Sequence, residues 1–170
     1  QLGERVPYVL DGGPCQVGVE SSIVGFDGER CVLLRPGGVP VESLRDVVTA
    51  LETPALTPAA RPTAPGMLSA HYAPRTPVRF GDLDALIDAE LSTHPGRRLA
   101  VLAFAEPRDA HACRVLSTAR DPAEAARRLF AALRELDAAG ADLLLAERVP
   151  DHGLGLAISQ RLRRAAAAHP

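Results

Sequence analysis

The sequence predicts an α/β protein built from a short α/β unit, a proline-rich linker and a second small α/β unit with a mostly parallel sheet. Three observations predict it. Residues 99–104 (LAVLAF) and 143–146 (LLLA) are continuous apolar runs of strand length, the pattern of strands buried on both faces. Around them lie stretches whose apolar residues recur at helical spacing. Six prolines (54, 58, 62, 65, 74 and 77) crowd into residues 53–77. Proline lacks an amide donor and breaks helix interiors, so neither a helix nor a central strand can persist there, and an extended, semi-rigid connection is expected. The expected boundaries are therefore 1–52, 53–77 and 78–170.

Each element follows from local chemistry. Residues 6–10 (VPYVL) read as a short strand, and Asp11-Gly12-Gly13-Pro14 as a turn. Residues 17–26 (VGVESSIVGF) read as a strand with a glycine interruption, followed by the hairpin dipeptide Asp27-Gly28. Residues 31–35 (CVLLR) form a strand closed by Pro36-Gly37-Gly38. Val41, Leu44, Val47, Val48 and Leu51 predict an amphipathic helix over 41–51. Beyond the linker, residues 78–80 suit a strand, and Leu83, Leu86, Ile87 and Leu91 mark a helix begun near Asp82. Residues 114–117 suit a further strand. Asp121-Pro122-Ala123-Glu124 is a helix start: a capping Asp, Pro in the first turn, and Glu three residues after the cap. Leu129, Phe130, Leu133 and Leu136 are its buried stripe and Gly140 its end. A last helix is expected over 155–168, with Arg161, Arg163 and Arg164 towards its negative end. Strands alternating with helices make this second unit Rossmann-like.

Composition excludes several classes. The 170 residues carry 19 basic and 21 acidic side chains, a net charge of -2, and residues 78–170 balance 13 Arg against 13 Asp and Glu. Neither figure is the electrostatic footprint of a nucleic-acid binder. No apolar run reaches the roughly 18 residues of a membrane-spanning helix. Cys15, Cys31 and Cys113 lie at wide, odd spacing that fits neither a disulfide framework nor a zinc site. With no basic stretch leading into an apolar one, the cytoplasm is the expected compartment.

Three segments carry chemistry. In Asp11-Gly12-Gly13-Pro14-Cys15-Gln16-Val17-Gly18-Val19-Glu20-Ser21-Ser22-Ile23-Val24, bare glycine amides beside two hydroxyls can cradle a small anion or carboxylate. The same segment also reads as a tight turn feeding a strand with two exposed serines. In Leu33-Leu34-Arg35-Pro36-Gly37-Gly38, an arginine ends a strand at a rigid turn, where its planar fork can reach a phosphate or pair with a surface carboxylate. In Ala64-Pro65-Gly66-Met67-Leu68-Ser69-Ala70-His71-Tyr72-Ala73-Pro74, the linker carries a Met, a His and a Tyr. Tyr72 offers a flat face for stacking, or with Met67 it pins the linker to a surface. Cys15 lacks a neighbouring His and reads as a small packing residue. His94, His111, His152 and His169 read as solvated, and Gly153 and Gly155 as a strand-to-helix turn.

Together these segments resemble the long form of the YrdC/YciO-type L-threonylcarbamoyladenylate synthases, which carry D-G-G-x-C-x-x-G-x-E-S-T-I-V, then L-R-P-G, then A-P-G-M-x-x-x-H-Y-x-P. Ser22 stands where threonine is usual. Residues 153–165 resemble the family's terminal G-x-G-x-A-x-x-D-R-L-R-R-A, with Gln160 in place of the usual acid. The resemblance implies that residues 1–52 are the C-terminal part of a YrdC-like mixed-sheet catalytic domain, that 53–77 act as a lid, and that 78–170 form an accessory domain. It implies a nucleotidyltransferase that condenses L-threonine, bicarbonate and ATP into threonylcarbamoyl-AMP with release of pyrophosphate. ATP is then a substrate and Mg²⁺ an expected companion whose ligands are not identifiable here. tRNA is reached only indirectly, through a downstream transferase complex, and no membrane is involved. By motif matching, Ser21 would contact L-threonine, while Arg35 and Tyr72 would contact ATP. Ser22, Met67 and His71 are secondary candidates, and no residue is assigned a catalytic step.

The family's Lys/Arg nucleotide motif and S-x-N segment have no counterpart here, since the sequence contains no Lys and no Asn. The expectation is a C-terminal portion of the enzyme, inactive alone, opening at Gln1 in mid-domain. Unpaired strand edges would favour aggregation, segment exchange or a homodimer. A non-catalytic nucleotide-sensing or protein-interaction module is the alternative. A YciO-like relative with nucleic-acid affinity is disfavoured by the charge balance.

Overall fold

A computed structural model describes residues 5–53 and 73–168; residues 54–72, most of the proline-rich linker, lie outside the described residues. The first sheet has three strands: β1 (Ile23–Asp27), β2 (Arg30–Arg35) and β3 (Leu51–Glu52), in that order. β1 and β2 are an antiparallel hairpin in which Asp27 faces Arg30, and Gly28 takes the φ of +62° that its turn requires. Helix α1 (Val41–Val47) crosses back so that β3 lies parallel to β2, with Leu51 beside Cys31. Cys31, Leu33, Val41 and Leu51 are buried together.

Three expectations fail here for one reason: pairing, not propensity, decides what a short apolar stretch becomes. The helix expected over 41–51 ends at Val47, because Leu51 and Glu52 are drawn into the ladder with β2. Residues 6–10 form no strand; Tyr8, Val9 and Leu10 are 89%, 79% and 98% exposed, with no described strand paired to them. Residues 17–22 are likewise irregular, and Gly18 sits at φ +78°. Cys15 is exposed, so it is not the packing residue its sequence context suggested.

The second unit follows the sequence closely. β4 (Val78–Gly81), α2 (Leu83–Thr93), β5 (Leu99–Ala103), β6 (Ala112–Val115), α3 (Pro122–Ala138), β7 (Leu143–Glu147) and α4 (Gly155–Ala167) succeed one another. The four strands are all parallel, in the order β4-β7-β5-β6. Alternate residues of the buried strands separate two cores. Ala100, Leu102, Leu144 and Ala146 face α3 and α4, while Leu99, Val101, Leu143 and Leu145 face α2. The result is a three-layer α/β/α sandwich.

Helix starts are satisfied as the sequence implied. Asp82 accepts from Ala85 N at 3.0 Å, and Asp121 accepts from Ala123 N at 2.8 Å and Glu124 N at 3.2 Å. Glu124 does not reach back to its own cap. It accepts from Ser117 Oγ at 2.5 Å, and Ser117 Oγ accepts from Asp121 N at 2.9 Å, so the serine relays the capping box. Asp121→Ala is expected to lower stability by about 1 kcal/mol in urea unfolding; an unchanged midpoint would show that the cap carries no weight.

A candidate site where the two sheets meet

The two strongest candidates from the first unit are in direct contact. Arg35, at the end of β2 and only 7% exposed, donates from Nε and Nη2 to the Ser21 carbonyl at 3.2 and 2.9 Å, and from Nη2 to Ser21 Oγ at 3.1 Å. Ser21 itself is exposed. Because its oxygen accepts from a cation, its own O–H is available to donate outwards, the polarity that suits a carboxylate ligand. Ser22 behaves differently: its Oγ donates to Val39 O at 2.8 Å and accepts from Val39 N at 3.1 Å, tying β1 to the turn after β2.

That turn explains the glycines. A Cβ on Gly37 would lie 2.3 Å from Glu20 O and from Ser21 C, and one on Gly38 would lie 2.6 Å from Val17 Cγ1. Gly38 N donates to Glu20 O at 2.8 Å. Segment 36–38 therefore packs backbone against backbone on residues 20–21. On the other side, Gly18 fits against α3, since a Cβ there would lie 2.3 Å from Ala126 O and Arg127 Cα. Val19 packs into the core under α3 and α4. The glycine-rich segment is thus wedged between the first sheet and two helices of the second unit.

α4 closes the joint. Arg161, 7% exposed, donates from Nε and Nη2 to Glu20 Oε2 at 3.0 and 2.5 Å, and from Nη1 to Pro36 O at 2.6 Å. Burial pushes the Glu20 carboxyl up, but the hydrogen bond and charge of Arg161, helped by the Arg35 charge, outweigh this and hold it below its ordinary value. Arg164, half-buried nearby, has its guanidinium shifted down by burial and by the Arg161 charge. Neither Glu20 nor Arg161 stood out as a site residue in the sequence. The available signal was an acid placed directly before two serines in a glycine-rich segment that contains no basic residue.

Met67, His71 and Tyr72 lie outside the described residues, as does His169. His94 Nδ1 meets Thr93 Oγ1 at 2.9 Å, and His111 Nε2 meets Ala139 O at 3.0 Å, both exposed. A Cβ on Gly155 would lie 1.8 Å from Pro150 O, so that glycine serves a close backbone approach at the start of α4. Among the described residues, no group of three or more His, Cys, Asp or Glu gathers where a metal ion could be held, and no helix is long and apolar enough to cross a membrane.

Fold and site together define a two-unit α/β protein with an arginine-backed serine at the junction of its sheets. A family model described as the C-terminal domain of threonylcarbamoyl-AMP synthase matches residues 39–167, and the chain belongs to that family. It is 34% identical to a threonylcarbamoyl-AMP synthase of Pyrococcus abyssi over 95% of the chain and 49% of the relative. Synthases of Schizosaccharomyces pombe and Bacillus subtilis are each 33% identical, covering 98% and 97% of the chain and 46% and 50% of the relatives. The chain thus spans about half the length of the curated relatives it matches. Among solved structures, it superposes on P. abyssi Sua5 complexed with L-threonine with a TM-score of 0.80 at 35% identity, over 92% of this chain and 48% of that one. A P. abyssi Sua5 variant with an adjacent His and Tyr changed to Ala gives 0.73 at 34% identity, over 92% and 47%.

Proposed function

We propose that this chain supplies part of an L-threonylcarbamoyladenylate synthase, which forms threonylcarbamoyl-AMP from L-threonine, bicarbonate and ATP and releases pyrophosphate. One observation carries the reading: the serine of the G-x-E-S segment and the arginine of L-R-P-G are hydrogen-bonded to each other, in a chain similar to a relative crystallised with L-threonine. Ser21 donates to the threonine carboxylate, and Arg35 places its positive charge beside the nucleotide phosphates. Adenylation asks for cationic stabilisation, positioning and exclusion of water from an unstable carbamate rather than for covalent participation by protein.

In the same proposal residues 1–52 belong to the catalytic domain, 53–77 to a lid and 78–170 to the accessory domain. Tyr72 contacts ATP from the lid, and Ser22, Met67 and His71 are secondary contacts. The chain has one adjacent His–Tyr pair, His71-Tyr72, and the same pair of residue types is the one replaced in the P. abyssi variant. Mg²⁺ accompanies the triphosphate, the compartment is the cytoplasm, and tRNA receives the product's threonylcarbamoyl group through a separate transferase.

The test is pyrophosphate release with ATP, bicarbonate and L-threonine by the complete protein carrying this chain. Ser21→Ala is expected to raise the KM for threonine roughly tenfold or more, the effect of a hydrogen bond lost to a charged group. Arg35→Ala and Tyr72→Ala are expected to weaken ATP use. Pyrophosphate release indifferent to threonine, or unaffected by all three substitutions, would overturn the proposal.

A further inference from the structure

We propose that Arg161 is a positioning residue, through which the second α/β unit fixes the geometry of the Ser21–Arg35 pair. The placement is specific. Glu20 immediately precedes Ser21, and Pro36 immediately follows Arg35. One planar guanidinium grips both, taking the Glu20 carboxylate with Nε and Nη2 and the Pro36 carbonyl with Nη1. Residue 161 is 141 positions from Glu20 and 125 from Pro36, so the contact is made by the fold and not by local chain geometry.

The grip can transmit position for three reasons. First, the guanidinium is anchored on its own helix, since Nη1 also donates to Ala157 O at 3.3 Å and to Gln160 Oε1 at 3.1 Å. It is a fixed fork rather than a mobile arm. Second, its charge is buried and opposed by Glu20, whose carboxyl is held ionised by that same contact. Third, the segments it joins have no slack, because Gly37 lies in backbone contact with Glu20 and Ser21. A shift of Pro36 relative to Glu20 must therefore move the Arg35 guanidinium relative to the Ser21 hydroxyl. A displacement near 1 Å is enough to lower turnover by about a hundredfold in a positioned site.

The functional arm of this inference rests on the function proposed above, and the experiment separates the two. Arg163 is the control: it lies on the same helix, but its guanidinium stands 5.7 Å over the Phe80 ring, away from the joint. In the complete protein, Arg161→Ala is expected to lower kcat/KM for L-threonine about tenfold or more, with Arg163→Ala within about twofold of the parent. Arg161→Lys keeps the charge but cannot reach Glu20 and Pro36 from one plane. It is expected to fall between the two, and it carries the test if the alanine variant does not fold. Amide hydrogen exchange gives a readout independent of turnover. Arg161→Ala or Arg161→Lys should speed exchange at Ser21, Ser22, Gly37 and Gly38, and Arg163→Ala should not.

An unchanged kcat/KM for L-threonine in the Arg161 variants, or an equal loss in the Arg163 variant, overturns the positioning role. If the parent protein makes no use of threonine, the proposed function fails, and exchange alone decides. A rise confined to those four amides upholds the positioning of the joint, and no rise or a uniform rise overturns it.

Discussion

Gly37→Ala is expected to lower kcat/KM for threonine and ATP by about a hundredfold, the loss that follows a misplacement near 1 Å, and to cost about 1–3 kcal/mol of stability. The added methyl would lie 2.3 Å from Glu20 O, 2.3 Å from Ser21 C and 2.4 Å from Ser21 O. All three are backbone atoms, so no side chain can swing aside to make room. Relief must come from separating segment 36–38 from residues 20–21, which pulls Arg35 off the Ser21 carbonyl and hydroxyl. Gly12→Ala, in the separate segment 11–24, is the control, since nothing lies within 4 Å of an added Cβ there. Steady-state kinetics and urea unfolding of the two variants decide the matter. A Gly37 variant with parental kinetics would show that the joint accommodates the methyl without moving the pair.

The contrast between Gly12 and Gly37 also shows how much the sequence could reveal. The second unit was legible almost element by element, because its central strands β5 and β7 are buried along nearly their whole length and α2 and α3 carry Asp caps. The LAVLAF and LLLA runs, Asp82, Asp121 and Gly140 each act through local or nearest-neighbour physics. The first unit was less legible because its elements exist only by pairing. Residues 6–10 have strand composition and no described strand beside them, and Leu51 leaves a helical pattern to join β2. Within the site, Ser21 and Arg35 could be named from motif spacing, but their mutual hydrogen bonds could not. In the sequence Gly12, Gly18 and Gly37 look equivalent; only the fold distinguishes open space from contact with α3 or with residues 20–21. Arg161 read as one of several helix-end cations, since the partners that bring it into the site, Glu20 and Pro36, lie more than a hundred positions away.

The largest loss of stability is expected from removing both arginines that face Glu90, as in Arg79→Met with Arg97→Met, at about 3–5 kcal/mol. Glu90 lies on α2 at 1% exposure. Its Oε1 accepts from Arg79 Nη1, and its Oε2 accepts from Arg97 Nη1 at 2.7 Å, with His94 Nδ1 at 3.6 Å. The two cations differ from their partner in one decisive respect: their side chains remain 52% and 31% exposed. Removing the carboxylate releases arginines that can hydrate where they stand, so Glu90→Gln should cost less, about 1–3 kcal/mol. Removing the arginines leaves a carboxylate, 1% exposed in the parent, without either guanidinium to offset its burial. Either single substitution leaves one cation in place, so the double variant should lose more than the sum of the two singles. Urea unfolding of the four variants measures this directly; a double variant no worse than Glu90→Gln would mean that the burial of the carboxylate does not set the energetics. α2 covers the sheet face opposite α4, so the loss should appear in unfolding while the folded fraction keeps its kinetics at Ser21 and Arg35.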